Sequence, residues 1–372
     1  MGFPLSTRRG ASRDAQPNCF RYSPEVVAIG ALVVAAAILQ ACSEPPRAEA
    51  TQPPPGSGYA TLYDDDTLAY WANRYEPAVR ENLSRLILDS LSPVQRRKTR
   101  DLTFQFPQRD PRDPLAYYAD APPPTITMSV LSVKFLDDFA AATVWLDAHR
   151  YSIETAEYYA DVLKYRRPEQ FANARYPAPF QALGIPPDAL KDTVVNDIAL
   201  KILNSAVLFS LAHEVGHVLY GHQSTESAEK RQQQEMEADS FAIAAFRRIG
   251  VAPVGIVTFF LLSSRLDRHR GDFQSDTAWT SWLSTHATRP LSSRRLKALA
   301  NALQSSPQDF ARGGDNHAAA VQRVEFIAQQ IDGISTILDD QLLHRQARLV
   351  GESIPLTELR PRRPGHPWVP KR

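Results

Sequence analysis

The chain has 372 residues, enough for one or two domains with a buried core. Its 42 basic and 41 acidic residues leave a formal charge of +1, so no basic surplus points to a nucleic-acid backbone as partner. At 43% hydrophobic and 22% charged residues, the composition is that of a globular protein and excludes a low-complexity or collagen-like chain.

Four arginines (Arg8, Arg9, Arg13, Arg21) precede an uninterrupted apolar run from Val26 to Leu39. The run is shorter than the roughly 20 residues that span a bilayer, but it suits the core of a signal peptide behind a basic leader. Leu39-Gln40-Ala41-Cys42 resembles a bacterial lipobox, which implies cleavage before Cys42 and lipidation of its sulfur. Residues 1–41 are therefore expected to be a lipoprotein signal peptide. The expected location is the bacterial cell envelope, facing the periplasm, with Ser43 favouring the outer membrane. The other cysteine, Cys19, lies in the leader, so the mature chain would hold no internal disulfide. Residues 42–58 are proline-rich and read as a stiff tether.

Folded sequence is expected from Tyr59, and 59–187 reads as an accessory region. Within it, 64–91 shows apolar residues at helical spacing, 107–124 reads as a loop, and 125–133 alternates as a strand does. Helical patterns cover 136–148 and 153–165, and a proline-punctuated loop covers 168–187. Residues 188–306 form the expected core. A long apolar helix runs over 192–222 and ends at Gly221, a polar flexible link covers 223–234, and a helix over 235–249 is closed by Gly250. A further helix begins after Pro253. Residues 307–358 read as a C-terminal helical region with one helix over 318–345, and 359–372 as a disordered tail. The expected fold class is α+β and mainly helical.

Within the long helix stands His213-Glu214-Val215-Gly216-His217, the pattern H-E-x-x-H. Positions i and i+4 share a helix face, so both imidazoles reach one ion while Glu214 approaches a metal-bound water as general base. Apolar neighbours (Phe209, Leu211, Ala212, Val218, Leu219) make two histidines and a glutamate costly unless they are coordinated or paired. A catalytic zinc takes three protein ligands. Glu235-Met236-Glu237-Ala238-Asp239 supplies the third, with Glu235 and Asp239 one turn apart, so one can ligate while the other supports a histidine. His222 is read as facing away from the ligand stripe.

The order of these motifs resembles that of the gluzincins, and more closely the family of the CAAX prenyl protease, the HtpX-like heat-shock proteases and periplasmic metallopeptidase lipoproteins. The shared features are H-E-x-x-H, E-x-x-A-D at Glu235 to Asp239, the turn Gly250-Val251-Ala252-Pro253, and Ser284-Thr285-His286. Ala287 stands where that family has proline, and Pro290-Leu291 with Arg294 are displaced by about two residues. The resemblance implies a zincin-like domain with one zinc on His213, His217 and Glu235, and Asp239 beside a histidine. It also implies that His286 lies near the metal as a second catalytic group. The activity it implies is a zinc-dependent endopeptidase acting on envelope proteins, and the rival reading is a non-catalytic envelope scaffold with a vestigial zinc site.

Overall fold

In the computed structural model, residues 58–223, 226–285, 291–312, 316–365 and 368 are described. The signal peptide, Cys42, the tether up to residue 57, and His286 lie outside them. The described residues form a mainly helical α+β fold with a three-stranded sheet. In chain order the elements are α1 (Asp65–Glu81), α2 (Pro93–Lys98), β1 (Thr103–Gln105), β2 (Tyr117–Asp120), β3 (Thr125–Met128), α3 (Val130–Ala148), α4 (Glu154–Tyr165) and α5 (Pro179–Leu183). Then follow α6 (Thr193–Tyr220), α7 (Ala228–Ile249), α8 (Gly255–Leu266), α9 (Asp276–Thr285), α10 (Ser293–Gln304), α11 (His317–Asp339) and α12 (Gln341–Ser353).

The sheet order is β1-β3-β2, with β1 parallel and β2 antiparallel to β3. The strand expected over 125–133 stops at Met128. Ser129 ends it, because its Oγ accepts the Ser132 N–H at 3.0 Å and starts α3 at Val130. The loop expected over 107–124 contains β2, whose Tyr117 to Asp120 pair with Met128 to Thr125. α3 is buried nearly all round, which explains why its apolar residues give little helical periodicity.

α6 is the central element and packs against α3, α7, α8 and β2. Asp192 begins it by accepting the Val194 and Val195 N–H groups at 2.9 and 3.2 Å, and Gly221 ends it at φ 67°, a left-handed position that suits glycine. By length and composition α6 is apolar enough to cross a membrane, yet most of that window is buried inside the protein. Gly255 lets α8 rest directly on α6, since a Cβ there would lie 2.1 Å from the Ile202 carbonyl oxygen. The Gly255 N–H is taken up by Ser205 Oγ at 3.1 Å.

Two helices differ from the sequence expectation. α7 starts at Ala228, within the stretch read as a flexible link, because Ser227 Oγ accepts the Lys230 N–H at 3.3 Å. The helix expected over 318–345 is two helices broken at Asp340, whose carboxylate accepts the Leu342 and Leu343 N–H groups. The tail read as unstructured from 359 begins with Leu359 fully buried, and the Arg362 carbonyl accepts the Ser152 N–H at 2.6 Å. The main hydrophobic core draws from both sides of residue 188, joining residues of α3 and α4 to those of α6, α7 and α8.

Candidate metal centre

His213 and His217 lie one turn apart on α6, and Glu235 faces them from α7. Gly216, on the same turn of α6, allows the two helices to meet this closely: a Cβ on it would stand 3.0 Å from the Ala238 Cα and 3.3 Å from the Phe241 Cβ. The two histidine Nε2 atoms are 3.0 Å apart, and each is 3.3 Å from a Glu235 oxygen. One ligand atom from each of the three residues falls within 4.8 Å of the others. Ligand atoms about 2.1 Å from a tetrahedral zinc stand roughly 3.4 Å from one another, so the spacing fits that ion.

The hydrogen bonds around the three residues fit a cation as well. His213 Nδ1 lies 2.9 Å from Asp239 Oδ1, so it donates its N–H there and leaves a lone pair on Nε2. That lone pair faces His217 Nε2 and Glu235, an arrangement that is repulsive unless a cation or a proton lies between. Glu235 Oε2 is buried and makes no hydrogen bond, although Arg295 Nη1 stands 2.8 Å from it. A buried carboxylate whose two oxygens each face one imidazole nitrogen is a set of donors able to hold a metal ion. In the metal-free protein a proton takes part of this role. Burial lowers the His213 pKa, but Asp239 and Glu235 outweigh it and raise it to about 9.

Arg295, on α10, fixes both acidic residues. Its Nε and Nη2 donate to Asp239 at 2.5 and 2.8 Å, and its third nitrogen faces Glu235. Burial pushes both carboxyls up, yet Arg295 and the histidines overcome it and hold Glu235 well below, and Asp239 below, the usual carboxylate range. The arginine after the expected Ser-Thr-His segment that matters is therefore Arg295 and not Arg294, which is exposed. Both lie near the start of α10, and helix rotation alone decides which one points inward.

His222 is the second residue that the sequence reading misplaced. It follows the end of α6, where the chain turns back at Gly221. Its Nδ1 lies 2.9 Å from His217 Nδ1 and its Nε2 lies 3.1 Å from Glu237 Oε2. Each histidine of the metal set thus has a polar neighbour on its far nitrogen: Asp239 for His213, and His222 backed by Glu237 for His217.

Glu214 is buried and lines a cavity of about 130 Å³ with His213, Glu235 and Arg295. Tyr117 of β2 and Phe259 of α8 form apolar walls, with their rings in edge contact, and Asp267 lines the same space. The structure therefore brings His213, Glu214, His217, Glu235 and Asp239 together, while His286 and Cys42 lie outside the described residues.

Comparison with protein families adds one finding. Residues 144–248 match the model of the family Peptidase U49. The matched stretch contains all five of those residues and stops at Arg248, short of Arg295. It starts within α3, so it also takes in sequence ahead of residue 188. No curated protein and no solved structure matches the chain. The family match supports a peptidase and does not extend to the CAAX prenyl protease and HtpX-like enzymes, whose resemblance is one of motif order.

Proposed function

We propose that this chain is a zinc-dependent endopeptidase, with His213, His217 and Glu235 as metal ligands and Glu214 as general base. The observation that carries the reading is the meeting of three ligand atoms within 4.8 Å beside a cavity that Glu214 also lines. The Peptidase U49 match over the same residues supports peptide hydrolysis as the chemistry.

Bound zinc would supply a Lewis acid and lower the pKa of a coordinated water from 15.7 toward about 7. The chain's own residues do the rest. Glu214 takes a proton during attack on the peptide carbonyl and returns it to the leaving amine. Asp239 holds the His213 ring in the tautomer that leaves Nε2 free, and Arg295 keeps Asp239 and Glu235 ionised. The rings of Tyr117, Phe259 and Phe260 limit water around the reacting bond. Among the described residues β2 is an edge strand paired with β3, and an extended peptide would add beside it, next to the cavity that Tyr117 lines. His286 would approach this site as a second catalytic group, following the motif order.

The envelope setting belongs to the same proposal. A lipid on Cys42 would hold the protein on the outer membrane facing the periplasm, with misfolded envelope proteins as substrates. Acylation of Cys42 is checked by mass spectrometry of the protein purified from membranes, and an unprocessed N-terminus would remove the anchor from the proposal.

Zinc content per chain, measured beside a Glu235→Gln variant, tests the metal. About one zinc in the parent and much less in the variant is the expected result. A parent chain without zinc after chelator-free purification would leave a non-catalytic scaffold as the better reading.

A further inference from the structure

One carboxylate in the cavity is not used by the proposed chemistry. Asp267 follows the last residue of α8 and lines the same space as His213, Glu214 and Glu235. Its backbone N–H closes the helix onto the Ser263 carbonyl at 2.9 Å, a role that any residue except proline fills. Its side chain forms no ion pair within 4 Å and no hydrogen bond with any described residue. The two cations that act on it electrostatically are engaged elsewhere: Lys164 of α4 pairs with Asp272 at 2.9 Å, and Arg295 of α10 is held by Asp239 and Glu235.

Such a placement is unfavourable for stability. A negative charge at a helix C-terminus opposes the helix dipole. Burial pushes the Asp267 carboxyl up to about 6, with Lys164 and then Arg295 pulling it back. A group kept at such cost beside the reacting centre is a candidate for ligand recognition. The apolar part of the cavity wall indicates which ligand, Arg295 on the same wall being held by Asp239 and Glu235. Leu115, Tyr117, Phe259 and Leu291 offer apolar surface for an aliphatic stem, with Asp267 as an unpaired acid among them.

We infer that Asp267 selects substrates carrying a cationic amine or guanidinium next to the scissile bond, the side chain of a lysine or arginine. The inference rests on the metallopeptidase reading and names the substrate class of that same site. The free α-amine of a peptide carries the same chemistry, so the test separates the two sources.

The test uses the full zinc-loaded chain and peptide hydroxamates, which bind a site metal without being cleaved. An N-acetylated norleucine form is the reference, and two further probes each differ from it at one place: an N-acetylated lysine form, and a norleucine form with a free amine. Binding is measured by calorimetry on the parent and on Asp267→Asn, Asp267→Glu and Asp188→Asn, the last an exposed control that does not line the cavity. The lysine probe is expected to bind the parent about tenfold more tightly than acetyl-norleucine. In Asp267→Asn that ratio shrinks toward one, in Asp267→Glu it is partly restored, and in Asp188→Asn it is unchanged. A gain for the free-amine probe instead would keep cation recognition and assign it to the peptide N-terminus. Equal binding of all three probes by the parent would overturn the inference. So would a lysine preference that survives in Asp267→Asn, since another carboxylate such as Glu214 would then hold the cation. Zinc content, read on the same samples, separates the failures: zinc present with no probe preference sinks the role of Asp267 alone, and zinc absent sinks the metallopeptidase reading with it.

Discussion

Replacing Arg295 with methionine is the sharpest test of how the centre is held. The guanidinium makes two hydrogen bonds to Asp239 and stands 2.8 Å from Glu235, and all three side chains are at least nine-tenths buried. Methionine keeps the volume and deletes the charge, leaving two buried carboxylates with only His213 and His217 beside them. Breaking a buried ion pair from one side costs about 3–5 kcal/mol, because the remaining charge is uncompensated. Against a typical stability of about 5–15 kcal/mol, that is a large share of the total. Urea denaturation of the metal-free protein, held in chelator, gives the difference directly. The neighbouring Arg294→Met is the control, since its side chain is exposed and surface changes fall within about 0.5 kcal/mol. Lysine in place of Arg295 keeps the charge without the paired geometry and is expected to fall between the two. A loss below about 1 kcal/mol for Arg295→Met would refute the reasoning, because the acids would then be held by something other than this arginine.

The remaining tests address other parts of the molecule. Glu214→Gln is expected to retain zinc at the parent level and lose cleavage of unfolded protein substrates by at least about a hundredfold, and persistent cleavage would remove Glu214 as the base. Gly216→Val forces α6 from α7, where even a Cβ meets the Ala238 backbone at 3.0 Å, so zinc content should fall although every ligand remains. The associated loss of stability is about 1–3 kcal/mol, and unchanged zinc and stability would show that the helix contact gives way freely. His269 supplies a pH test away from the metal. Burial first, then Lys164 and the stacked His344 ring, push its pKa down to about 2. It is therefore neutral in the folded protein and protonated when unfolded below about 6.5, so it subtracts stability as pH falls from 6.5 toward 2. A single such group gives at most about 1.4 kcal/mol per pH unit, and His269→Gln should flatten the acid-side slope of stability by that amount. An unchanged slope would mean that the histidine is charged in the fold.

The residues that touch along one helix were legible in the sequence. His213 and His217 meet because four residues of α-helix return to the same face, and no tertiary contact is needed for that. Glu235 and Asp239 repeat the spacing on α7, so their pairing with the α6 histidines followed once both helices were read. Chain ends of helices with strong local signals, Gly221 and Gly250, were placed for the same reason. The boundary at Ser129 was missed because alternation over 125–133 suits a strand, and one Oγ accepting a backbone N–H decides otherwise.

What only the tertiary structure decided is the set of contacts between distant elements. Arg295 reaches Asp239 across 56 positions of sequence, and nothing local separates it from Arg294 until α10 is docked on α7. His222 approaches His217 because Gly221 reverses the chain, so helix periodicity pointed it the wrong way. No motif in the sequence singles out Asp267, and its place in the cavity depends on α8 lying on α6 at Gly255. Periodicity along the chain determines which residues share a face. Packing of one face on another, set by where a glycine permits close approach, decides which charges meet.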